Sequence, residues 1–183
     1  MKKNPSNRVR YLAVAGLIAG LYTALTVALA PLSFGLVQCR VSEMLTILAA
    51  YSPVAVTGLS VGCALSNLIG LSMGANIAGA LDILLGTLAT GLAAWLSYRL
   101  RKIRWGGLPV LSTLPPVIFN AVIIGAELTL VSPVPTWQMF FTEMALVGAG
   151  QLLACVLGGL VLAKTLQKSK LFACLEQISY TNR

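Results

Sequence analysis

Histidine is absent from the 183 residues, and only five residues are acidic. Without histidine there is no imidazole base, no imidazole metal ligand and no Ser-His-Asp triad. Charged residues make up 10% of the chain and hydrophobic residues 57%. An average soluble domain has about 25% and about 45–50%. The surface of a soluble domain cannot be built from so few charges, so the expected solvent is lipid. The four cysteines, Cys39, Cys63, Cys155 and Cys174, form no CxxC pair or other metal spacing, and read as small apolar side chains. No GxxxxGK[ST] loop is present, which excludes Walker-type ATP binding. The two halves show no inverted repeat, an argument against several secondary-transporter folds.

Basic residues, by contrast, are in excess: 13 Lys and Arg give a net charge of +8. They are clustered. Lys2, Lys3, Arg8 and Arg10 form one group, and Arg99, Arg101, Lys102 and Arg104 a second. Lys164, Lys168, Lys170 and Arg183 lie in the C-terminal tail, and Arg40 stands apart. Uncharged runs of 29 residues (Arg10 to Arg40) and 38 residues (Glu43 to Asp82) separate them. A hydrocarbon core about 30 Å thick needs about 20 apolar residues per helix. The clusters therefore read as topology signals, not as a nucleic-acid face.

Apolar runs and breakers predict an all-α integral membrane protein, one domain over 1–183, with six transmembrane helices. Their expected bounds are 11–30, 41–51, 54–71, 78–98, 108–131 and 137–163, with a polar tail over 164–183. The first run is too long for the apolar part of a signal peptide. The second is short for a span at about 1.5 Å per residue, which predicts a tilted or partly buried helix. Pro115-Pro116 predicts a kink or a late start in the fifth. With both termini cytoplasmic, six crossings put every basic cluster inside and leave only Arg40 outside, as the positive-inside rule requires.

Small residues recur at four-residue spacing. Ala15 and Ala19, beside Gly16, Gly20 and Ala24, line the first helix, and Gly58, Gly62, Ser66 and Gly70 the third. Such stripes let helix backbones approach closely inside lipid. They serve either internal packing or, on helix 1, a partner protein.

The acids carry the functional signal. Glu43, Asp82, Glu127 and Glu143 all fall in expected helices, and only Glu176 lies in the tail. An ionisable group deep in a bilayer costs about 2.5–3.5 kcal/mol on insertion scales, and marks a functional site by default. At about 1.5 Å per residue, all four lie roughly 5–10 Å below the outer interface. Arg40, Asn67 and Asn76 sit near the same level, and Asn120 shares a helix face with Glu127. Arg40 and Glu43, three apart, can instead pair at a helix start. Tyr22, Phe34, Phe119 and Trp137 are candidate stacking surfaces for a flat ligand, Trp137 equally an interface anchor. Carboxylates and amides accept and read N–H donors, so the pocket suits a purine-like edge or an amine. No Cys, His or acid cluster of metal-site spacing accompanies them, so neither a metal nor a cofactor is expected.

The residues carry a family resemblance. The run Ala30-Pro31-Leu32-Ser33-Phe34-Gly35, followed by Gln38-Cys39-Arg40-Val41-Ser42-Glu43, resembles the queuosine-precursor transporter family of QueT type. So do Asn67-Leu68, Asp82-Ile83 with Gly86-Thr87-Leu88, Leu114-Pro115-Pro116-Val117, Phe119-Asn120 and Gly125-Ala126-Glu127. The similarity extends over about residues 8–165. It implies a non-enzymatic substrate-binding S-component of an energy-coupling factor importer in the bacterial cell membrane. Such a subunit joins a transmembrane coupling subunit and two ATPases, and docks through an AxxxA-type face of helix 1, here Ala15 and Ala19. The implied cargo is a 7-deazaguanine-type base or nucleoside of the queuosine pathway. The implied contacts fall on Arg40, Glu43, Asn67, Asp82, Asn120, Glu127 and Glu143. An S-component for another vitamin-like solute, or a stand-alone secondary transporter, is the alternative reading.

Overall fold

A computed structural model describes residues 5–35 and 38–169. Lys2, Lys3, Lys170, Cys174, Glu176 and Arg183, and with them most of the expected tail, lie outside the described residues. Among the described residues all regular elements are helical. They are α1 (Pro5–Ala28), the one-turn α2 (Ala30–Ser33), a 3-10 helix (Val41–Ala50), α3 (Val54–Ser72) and α4 (Leu81–Leu100). A 3-10 turn (Val110–Thr113) leads into α5 (Leu114–Val131). Then α6 (Trp137–Gln151), a π-helical stretch (Leu152–Gly158) and α7 (Gly159–Gln167) run on as one rod. Among the described residues five helices are long and apolar enough to cross a membrane, and Val41–Ala50 is a shorter apolar one.

The second element departs from the expected α-helix. Wound as 3-10, its ten residues cover about 20 Å, where an α-helix of the same length covers about 15 Å. It is also the most enclosed element: eight of its ten residues are buried. It touches α1, α3, α4, the π stretch and α7. The five long helices wrap it, with α1 against α3, α3 against α4, α4 against α5 and α5 against α6. A central rod held on all sides by protein has no need to span lipid by itself.

Prolines set several boundaries. Pro31 falls in the first turn of α2, so the break after α1 comes at Leu29, earlier than the sequence suggested. Pro115 and Pro116 occupy the first turn of α5, where a missing N–H costs no hydrogen bond. The outcome is a late helix start and not a kink. The fourth helix begins at Leu81, after a turn in which Gly79 takes φ 68°. That left-handed backbone is accessible to glycine without strain.

The small-residue stripes meet inside the chain. Ala15 and Ala19 are buried. A Cβ on Gly58 would lie 2.8 Å from the Ala15 carbonyl, and one on Gly62 would lie 2.9 Å from that of Ala19. The backbones of α1 and α3 are therefore in contact, and this internal packing uses the face the sequence reading offered to a partner. A second small-residue face of α1, with Gly16, Gly20 and Ala24, points outward. Nothing lies within 4 Å of a Cβ built on Gly16 or Gly20.

This contrast gives a direct test of the packing. Gly62→Val forces α1 away from α3 and should destabilise by about 1–3 kcal/mol, the usual cost of overpacking. Gly16→Val should leave the thermal midpoint in detergent unchanged within error. Equal midpoints for the two variants would contradict the α1–α3 contact.

Candidate functional site

The polar side chains of four elements converge beside the 3-10 helix. Glu43, in its first turn, is fully buried. Its Oε1 accepts from the Tyr22 hydroxyl at 2.5 Å and from Thr90 Oγ1 at 2.6 Å. Tyr22 reaches it from α1 and Thr90 from α4. Asn120 of α5, whose own amide donates to the Pro116 carbonyl at 2.9 Å, sits beside the same carboxyl group.

Arg40 forms the second half of the cluster. It is 2% exposed, among the largest fully enclosed side chains. Its guanidinium donates to Asp82 Oδ2 at 2.9 Å. This is an ion pair to α4 and not the pairing with Glu43 that their three-residue spacing allows. Asn76 donates to the same Oδ2 at 3.0 Å, and Asn67 donates to the Asp82 carbonyl at 2.5 Å. The Phe34 ring lies 5.4 Å from the guanidinium carbon on one side and against Gly70 on the other. Gly86, one turn after Asp82, makes the room: a Cβ there would collide with Asp82 Oδ1 and lie 2.7 Å from Asn67 Nδ2.

Cys63 joins the two halves. Its sulfur accepts from Arg40 Nη1 and Asn67 Nδ2, each at 3.6 Å, and lies 3.4 Å from Thr90 Oγ1, whose proton goes to Glu43. Read in sequence it was only a small apolar residue. Thr90 was also passed over, although Asp82, Gly86 and Thr90 follow one another at four-residue steps on one face of α4. Tyr22 entered as a stacking candidate, yet its ring is wholly buried and its hydroxyl is committed to Glu43. Phe34 is enclosed likewise, whereas Trp137 is 79% exposed, as an interface anchor would be.

Glu127 and Glu143 complete the acidic set. Both are buried. Glu127 lies close enough to feel the charges of Asp82 and Arg40. A Cβ on Gly125 would lie 2.9 Å from the Met144 backbone of α6, so α5 and α6 are in close contact near Glu127 and Glu143. Glu143 makes no hydrogen bond with the other site residues among those described.

What distinguishes the cluster is the sign of its unused hydrogen-bonding capacity. Among the described residues Glu43 Oε2, Asn67 Oδ1, Asp82 Oδ1, both Glu127 carboxyl oxygens and Glu143 Oε2 are buried without a partner. All six are acceptors when the carboxyls are ionised. Gln38 Nε2 is the matching unpartnered donor. Native interiors leave few such atoms, because each costs about 1–3 kcal/mol or more when charged. An arrangement of this kind has the capacity to accept N–H donors. A separate groove of about 460 Å³ runs between Ala126, Leu130, Trp137 and Phe140, but its lining includes none of these carboxylates. No group of three metal-binding side chains occurs among the described residues.

One comparison places the chain among known proteins and two return nothing. Residues 12–168 match the family described as QueT transporter. No curated protein and no solved structure matches the chain.

The buried ion pair predicts a specific pattern of stability. Removing one partner strands a charge and should cost about 3–5 kcal/mol. Arg40→Met alone should therefore lower the unfolding midpoint strongly. Adding Asp82→Asn to it should recover part of the loss, since the stranded charge is gone. Losses that simply add in the double variant would contradict the pairing.

Proposed function

The chain belongs to the QueT transporter family, and from that premise we propose that it is the substrate-capturing subunit of an ATP-driven energy-coupling factor importer. Its cargo is a 7-deazaguanine-type base or nucleoside, a precursor of queuosine. The observation that carries the reading is the set of buried, unpartnered acceptors on Glu43, Asn67, Asp82, Glu127 and Glu143. A guanine-like edge presents adjacent N–H donors, and a carboxylate takes two of them in parallel. An amine substituent would satisfy the remaining oxygens. Arg40 has its charge matched by Asp82 and serves to hold that carboxylate in place, with Cys63 and Phe34 positioning Arg40 in turn.

The energy comes from elsewhere. The sequence has no ATP-binding loop, so hydrolysis belongs to two partner ATPases, joined through a transmembrane coupling subunit. Docking on that subunit falls to the outward small-residue face of α1 at Gly16, Gly20 and Ala24, in place of the buried Ala15 and Ala19. Both termini and the basic turn after α4 face the cytoplasm of a bacterial cell. The cluster then lies near the outer surface, and tilting of the docked subunit turns it inward for release.

Capture should need no partner. The isolated chain in detergent should bind a 7-deazaguanine by calorimetry. Glu127→Gln is the informative variant, because the Glu127 oxygens have no protein partner to lose. It should weaken binding about ten- to hundredfold, the worth of a charge-assisted hydrogen bond, with the thermal midpoint unchanged. No binding by the native chain, or equal affinity in the variant, would contradict the site.

A further inference from the structure

The opposite end of the bundle carries a feature that transport chemistry does not use. Between α4 and α5 the chain turns through Arg101, Lys102, Ile103 and Arg104 to Trp105. Backbone bonds join Trp105 and Leu108 in both directions, at 2.9 and 3.0 Å. Gly106 and Gly107 close the turn with φ 56° and 80°, where a side chain would be strained. Trp105 is thereby projected outward, 72% exposed, with Ile103 at 47% beside it. Gln167 Nε2 donates to the Gly107 carbonyl at 3.0 Å. This bond brings α7 to the turn and sets Lys164 and Lys168, both exposed, at its level.

The arginines here are held in place but make no ion pair among the described residues. The Arg101 guanidinium lies 3.8 Å from the Tyr98 ring and donates to the Tyr98 carbonyl at 2.8 Å. Arg104 donates to the Arg101 carbonyl at 3.3 Å and lies 5.4 Å from the Tyr51 ring. Arg99 lies 5.0 Å from the Trp95 ring. Among the described residues the sole ion pair is Arg40–Asp82, and the four acids there belong to the distant polar cluster. Six cations, counting Lys102, Lys164 and Lys168, thus share one end and make no ion pair among the described residues. Stacking and backbone bonds hold the arginines in place and leave their remaining N–H donors unmatched by any described acid.

We propose that this turn is a docking site for the headgroup phosphates of anionic membrane lipids. The arginine forks and lysines meet the phosphates, and Trp105 and Ile103 enter the adjoining apolar layer. Charge complementarity selects anionic over zwitterionic lipid, whose own cation the six positive groups repel. An indole belongs at this depth, where its ring meets hydrocarbon and its N–H meets water. The site anchors the end of α4 and, through Gln167, the end of α7 to the membrane surface.

The test uses the full chain with Trp95→Phe and Trp137→Phe, leaving Trp105 as the sole indole. It is placed in lipid nanodiscs containing acyl-brominated phosphatidylglycerol or, at equal mole fraction, acyl-brominated phosphatidylcholine. Trp105 fluorescence should be quenched by both, about twofold more by the anionic lipid. The triple variant Arg101→Gln, Lys102→Gln, Arg104→Gln changes only side chains at the turn. It should retain Trp105 quenching while lowering the ratio toward one, since three of the six cations are gone. Equal quenching by the two lipids in the parent protein would overturn the proposal. So would a Trp105 that neither lipid quenches, the result expected if protein covers the turn.

Discussion

A carboxylate enclosed in an apolar bundle must be met by donors, and this requirement organises the molecule. Coulomb attraction is strong there because little water screens it, and the cost of removing charge from water is correspondingly high. The chain meets it with one cation. Arg40 comes from the segment before the 3-10 helix and Asp82 from the start of α4, and their pairing joins elements far apart in sequence. Hydroxyls from α1 and α4 hold one oxygen of Glu43. What is left over, on Glu127, Glu143 and the second oxygens of Glu43 and Asp82, exceeds what the protein neutralises. The excess is the basis of the proposed binding site.

The fold follows from placing that cluster without exposing it. A central element had to be buried on all sides, and ten apolar residues in a 3-10 helix reach further than an α-helix of the same length. Backbone contact between α1 and α3, allowed by Gly58 and Gly62, lets Tyr22 reach across to Glu43. Gly86 and Gly70 clear space for the Asp82 carboxylate and the Phe34 ring. In each case an absent Cβ is what permits a polar or aromatic group to sit where it does.

Much of this was legible in the sequence. Charge-free runs and breakers located the five long helices, with starts off by up to six residues at α1 and α5, because lipid demands a long apolar stretch and tolerates few charges. The acids were legible for the same reason: in so apolar a chain each one stands out. Residues whose role depends on a partner were not. Cys63 and Thr90 have no property in sequence that separates them from packing residues, and the choice of Asp82 over Glu43 by Arg40 is set by tertiary approach, not by spacing. The two small-residue faces of α1 interleave in sequence, so which one packs inside could be read only from the position of α3. The 3-10 winding was equally hidden, since a short, uniformly apolar run has no period to report.

The claim on which the rest stands is that the unpartnered carboxylates receive the ligand's N–H donors. Infrared difference spectroscopy reads this event at the atoms concerned. Adding a 7-deazaguanine to the purified chain should shift carboxylate stretching bands, and the part of the shift due to Glu127 should vanish in Glu127→Gln. Saturating binding with the carboxylate region unchanged would contradict the site and the function drawn from it.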